Sequence, residues 1–134
     1  MTWTRPEHEL AAAVLAALDA RLLQDTGFSL PCLAVPDCFA EKLLANSDRW
    51  ADRHVCARDL VDLAVLRARS GPVPDGTWRR VEQAYGSGVR EDLRRAIVQF
   101  RELPGFAEGC LRRLAVSDPR LVEQGIERLS HDLA

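Results

Sequence analysis

Lysine is almost missing from this sequence. Of 134 residues 18 are basic, yet 17 of those are arginine and Lys42 stands alone. Abundant alanine, arginine and valine point to GC-rich coding, which favours arginine wherever any cation serves. A single surviving lysine then marks either chance or a place that wants a compact ammonium rather than a planar guanidinium. Long apolar runs are also missing. The longest, Leu10 to Leu18, falls far short of the roughly 20 residues a membrane span requires. No basic stretch followed by an apolar core and a small-residue cleavage site opens the chain, so a cytoplasmic protein with no membrane partner is expected. There is no cationic excess: the net charge is −2, which argues against a nucleic-acid footprint over the whole surface but leaves room for a local basic patch. No Cys-x-x-Cys pair occurs among Cys32, Cys38, Cys56 and Cys110. A zinc site from Cys32, Cys38, His54 and Cys56 is conceivable, but structural zinc usually takes closely spaced ligand pairs. Buried or idle reduced thiols are the expected reading.

What is present is an ordinary folded composition, 47% hydrophobic and 28% charged, too apolar for disorder. At this length the chain buries enough surface to fold without a disulfide or metal. Thr4-Arg5-Pro6-Glu7 offers a capping box for a helix carrying Leu10, Val14, Leu18 and Leu22, with Gly27 as its stop. Residues 28–35 read as one short extended segment, holding Pro31 and closed by Pro36, with no second strand pattern to pair with. Helical signals dominate from Asp37: helices are expected from Asp37 to about Trp50, Cys56 to Ser70, Asp75 or Thr77 to Gly86, Val89 to Glu102 and Phe106 to Val116. A last helix is capped by Asp118-Pro119. The fold class is therefore all-α, a bundle or array of about six to seven helices. Residues 1–27 are expected to form an N-terminal helix and 28–134 a helical domain.

Chemistry concentrates between Lys42 and Asp62. Lys42, Asn46 and Arg49 lie at i, i+4 and i+7, so one helix face carries all three. On the next helix Asp59 and Asp62 are three apart, Arg58 and Asp62 four apart. Asp62 sits among Leu60, Val61, Leu63, Val65 and Leu66, where an acid needs a partner. Two readings follow. In one, these charges are ion pairs that fix helix packing. In the other, Lys42, Asn46, Arg49, Arg58 and Asp59 line a cleft that offers phosphate-binding cations beside a carboxylate able to act as a base. The Arg90, Arg94 and Arg101 row and the Arg79-Arg80 and Arg112-Arg113 pairs read as solvated helix faces. Gly86-Ser87-Gly88 reads as a helix stop rather than a phosphate loop, because no strand precedes it.

The run Phe39-Ala40-Glu41-Lys42-Leu43-Leu44-Ala45-Asn46-Ser47-Asp48-Arg49-Trp50, followed by Arg58-Asp59-Leu60-Val61-Asp62-Leu63, resembles the C-terminal motif region of the AbiEii/AbiGii nucleotidyltransferase toxin family. Downstream, Gly71-Pro72-Val73-Pro74, Trp78 and Ala84-Tyr85-Gly86 extend the resemblance over about residues 28–116. The resemblance implies that Lys42 binds the triphosphate and that Asp59 helps to activate the accepting hydroxyl. Asn46, Arg49, Arg58 and Asp62 would support substrate binding.

Nucleotidyl transfer also needs divalent metal held by close carboxylates, which the family takes from an Asp-x-Asp pair on an N-terminal sheet. This sequence has no Asp-x-Asp or Asp-x-Glu, and its only acid-x-acid spacing is Glu7-His8-Glu9. The expected reading is a truncated homologue with no cofactor of its own. It would engage magnesium and a nucleoside triphosphate only if a complementary nucleotidyltransferase chain completed it, with tRNA as the acceptor if active. The alternative is a non-catalytic interaction module that binds an antitoxin or a partner nucleotidyltransferase chain.

Overall fold

The computed structural model describes residues 34–134. The expected N-terminal helix of residues 1–27 and most of the extended segment, residues 28–33, lie outside them. The described residues form six α-helices and one 3-10 turn, with no strand: α1 Val35–Arg49, the turn Arg53–Val55, α2 Arg58–Ser70, α3 Asp75–Tyr85, α4 Gly88–Glu102, α5 Phe106–Arg113 and α6 Pro119–Asp132. The expected all-α array is what the described residues form.

Boundaries differ from expectation in three places, each for a local reason. Val35, expected to be extended, opens α1. Ala34 stays extended as its N-cap and Pro36 occupies the first turn, where a missing N–H breaks no helical bond. Asp37 therefore lies within the first turn and does not cap it. α2 begins at Arg58 rather than Cys56, because Cys56 and Ala57 both take left-handed backbone, φ 53° and 54°. α5 stops at Arg113 rather than Val116. Ala115 is left-handed (φ 55°), and Val116 N–H donates to the Leu111 carbonyl at 3.0 Å. This closes the helix in a Schellman-type turn without the glycine that would have marked it. The last helix starts as expected, its first turn capped by Asp118, whose carboxylate accepts from Leu121 N–H at 3.3 Å.

α2 is the axis of the array. Leu60, Leu63, Ala64 and Leu66 on it are sealed from solvent, and each large apolar side chain contributes about 1.5–3 kcal/mol when fully buried. α1 covers one side with Phe39 and Leu43, and α6 covers another with Val122, Ile126 and Leu129. α3 and α4 pack on α1 through Trp78, Val81, Leu93 and Ile97. Trp78 is core, as expected, and the Arg90 guanidinium lies over its ring at 4.3 Å from the centroid. That arginine is half-buried; Arg79, Arg80, Arg94, Arg101, Arg112 and Arg113 are exposed.

The α2–α6 crossing is unusually close because α6 presents Gly125 there. A Cβ at that position would stand 1.9 Å from the Ala64 carbonyl oxygen, a backbone atom that cannot step aside. Gly125→Ala is therefore expected to lower the unfolding free energy by roughly 2 kcal/mol, as overpacking does. Gly109→Ala in α5, where the added methyl meets nothing within 4 Å, is expected to be neutral or to gain up to about 1 kcal/mol. Urea unfolding of both variants decides the matter: equal effects would remove the close approach as the reason for the glycine.

Candidate functional site

α1 and α2 form an antiparallel pair, joined by a tight connection over residues 50–57. Asp52 caps the 3-10 turn, accepting from His54 N–H at 2.9 Å. The two left-handed residues that follow, Cys56 and Ala57, each cost on the order of 1–2 kcal/mol. Cys56 is held there from inside by a side chain buried in the core; burial, with Cys56 adding to it, pushes the Cys110 thiol up to about 12. Cys38 is likewise buried and raised to about 11, first by desolvation. These are inert packing thiols. His54 is exposed while Cys38 and Cys56 are buried, and no group of three or more possible metal ligands exists among the described residues. Cys32 lies outside them.

The strained connection delivers Arg58 and Asp59 to the first turn of α2, opposite the end of α1. The face carrying Lys42, Asn46 and Arg49 meets the face carrying Asp59 and Asp62. Lys42 Nζ is sealed from solvent, forms an ion pair with Asp62 Oδ2 and stands 3.7 Å from Asp59 Oδ1. Arg49 grips Asp59 through both oxygens, Nε to Oδ2 at 3.0 Å and Nη2 to Oδ1 at 2.7 Å. Asp59 and Asp62 are each about 4% exposed, whereas Arg49 is 36% exposed. Two cations thus meet two carboxylates, and only Arg49 reaches solvent. Between Lys42 and Arg49 lies Asn46, 2% exposed, whose Nδ2 has no acceptor. An unanswered buried donor costs about 1–3 kcal/mol. Arg58 is half-buried at the start of α2.

Lys42, Asn46, Arg49, Arg58, Asp59 and Asp62 therefore all fall on this helix pair, and four of them, Lys42, Arg49, Asp59 and Asp62, form one ion network. The arrangement differs from an open cleft: Lys42 has no exposed surface and the carboxylates are engaged by cations. A surface groove of about 890 Å³ lies elsewhere, where Arg67, Arg101, Arg128 and His131 face Glu127. Arg67 is neutralised there by Asp132 at 2.7 Å. The sequence also gave no sign of Glu41. It is half-buried with Oε2 unpartnered. Desolvation, with Asp37 adding to it, raises its pKa against the opposing pull of Arg80.

Two measurements follow. Lys42→Met strands Asp62 as a buried charge and is expected to cost about 3 kcal/mol or more, whereas Lys42→Met combined with Asp62→Leu recovers most of that loss. Arg49→Gln, at a partly exposed pair, is expected to cost no more than about 1 kcal/mol. Denaturant titration reads all three, and a double variant as unstable as the single would refute the pairing. For Glu41, the folded protein takes up a proton more readily than the unfolded chain. Its penalty is absent below the ordinary carboxylate range and grows as pH rises through its raised value. Glu41→Gln should therefore stabilise the protein at pH 7, and the gain should shrink as pH falls. A pH-independent difference would contradict this.

Comparison with curated proteins found no match, and none was found among solved structures. The family model described as "Nucleotidyl transferase AbiEii toxin, Type IV TA system" matches residues 6–115. That span contains the whole Lys42–Asp62 network and ends before α6. With most of its length matched, the chain belongs to the AbiEii nucleotidyltransferase toxin family.

Proposed function

We propose that this chain carries the lysine–aspartate half of a nucleotidyltransferase site and depends on another chain for the metal-binding half. The observation that supports this most is the burial of Lys42 between Asp59 and Asp62 on the family's motif. A buried ion pair is an expensive way to pack two helices, since apolar residues of similar size often serve as well or better. The one lysine in an arginine-rich chain holds that position. In this reading Lys42 and Arg49 are the cations for a nucleoside triphosphate, Asp59 accepts the proton of the attacking hydroxyl, and Asn46, Arg58 and Asp62 support them.

The described residues do not fit a magnesium ion. Asp59 and Asp62 are both engaged by cations, no cluster of three possible ligands exists among the described residues, and the sequence holds no Asp-x-Asp. No metal step is assigned to this chain. The same observation favours a second reading, a non-catalytic module that binds an antitoxin or a full-length relative, in keeping with a toxin–antitoxin family. No helix among the described residues is long and apolar enough to cross a membrane, which accords with a cytoplasmic site of action.

Incubation of the chain with labelled nucleoside triphosphates, magnesium and total tRNA tests the proposal, with and without a chain supplying an Asp-x-Asp motif. Label transfer only in the mixture, lost with Lys42→Ala or Asp59→Ala, is the expected result. Transfer by the chain alone would overturn the dependence on a partner. Transfer in neither case, with stable co-purification of an antitoxin, would favour the binding module.

A further inference from the structure

The ion network raises a difficulty that the nucleotide reading, on which this inference rests, does not resolve. Asp59 has both oxygens committed to Arg49, at 2.7 and 3.0 Å, so neither is turned toward a substrate hydroxyl. The network is also balanced, Lys42 and Arg49 against Asp59 and Asp62. A triphosphate gains no net positive seat there unless one pair opens.

We propose that Arg49 is a positioning residue acting as a substrate-exchanged latch: it holds Asp59 until the polyphosphate of a nucleoside triphosphate takes the guanidinium over, leaving the carboxylate to receive the hydroxyl proton. Three features support the exchange. Arg49 is 36% exposed while Lys42 is sealed, so an anion arriving from solvent meets the guanidinium first. The planar fork that fits a carboxylate fits a phosphate equally well. Lastly, release does not strand Asp59, because Lys42 Nζ remains 3.7 Å from Oδ1. A buried carboxylate that lost its only cation would resist opening; this one keeps a second. Arg49 is also the last residue of α1, at the edge of the connection.

The test uses the full chain and inorganic triphosphate, with and without magnesium. Binding is followed by calorimetry and by the ¹H–¹⁵N signal of Arg49 Nε, assigned through its disappearance in Arg49→Lys. The expected result is a saturable movement of that signal matching the binding curve. Binding with an unmoved Arg49 signal overturns the latch and leaves the nucleotide site standing. No binding under either condition overturns both. A variant cycle separates the latch from plain charge repulsion. Asp59→Asn frees Arg49 and is expected to tighten triphosphate binding about fivefold, the worth of a partly exposed ion pair. In an Arg49→Gln background that gain should vanish. A gain of the same size there would mean that removing a negative charge was the whole effect, and the latch would fail.

Discussion

An ammonium group with no surface in water has to be answered by carboxylates, and the α1–α2 pair is arranged around that requirement. Lys42 reaches across from α1 to Asp62 and Asp59 on α2. Asp59 in turn must be fed into the first turn of α2 at the right height, which the short connection achieves with two successive left-handed residues. Strain of this kind persists only where the surroundings over-determine it. Here Asp52 caps the turn from one side and the Cys56 side chain, buried in the core, anchors it from the other.

The rest of the array keeps that pair in place. α2 is buried on more than one side, so it cannot tilt toward or away from α1 without opening the core. The Gly125–Ala64 approach brings α6 against the α2 backbone itself, which leaves α2 little freedom. Close packing transmits such constraints because interiors have few voids to absorb a shift. The family match stops at residue 115, yet α6, which lies beyond it, covers the helix that carries both aspartates.

The α1–α2 interface is costly to bury. A lysine, an asparagine with an unanswered donor and two aspartates occupy an interface where apolar residues would be easier to bury. That pattern lies within the span that the family model matches, and it is the observation on which the proposed nucleotide site rests. The charges of the network balance, Lys42 and Arg49 against Asp59 and Asp62, so the network as a whole is closed and neutral.

The all-α class was legible in the sequence because helix stops and caps punctuate it clearly: Gly71-Pro72, Gly86, Pro104-Gly105 and Asp118-Pro119. The shared face of Lys42, Asn46 and Arg49 was legible too, since helical periodicity alone puts i, i+4 and i+7 together. Where left-handed non-glycine residues set a helix boundary, as at Cys56, Ala57 and Ala115, nothing local marked them, for such conformations are imposed by surrounding contacts. Which cation meets which carboxylate was equally beyond the sequence. Lys42 with Asp62 and Arg49 with Asp59 are pairings across two helices, set by the length of the connection and the register of the crossing. Periodicity names the residues that share a face; only the packing of one face on another decides what they touch.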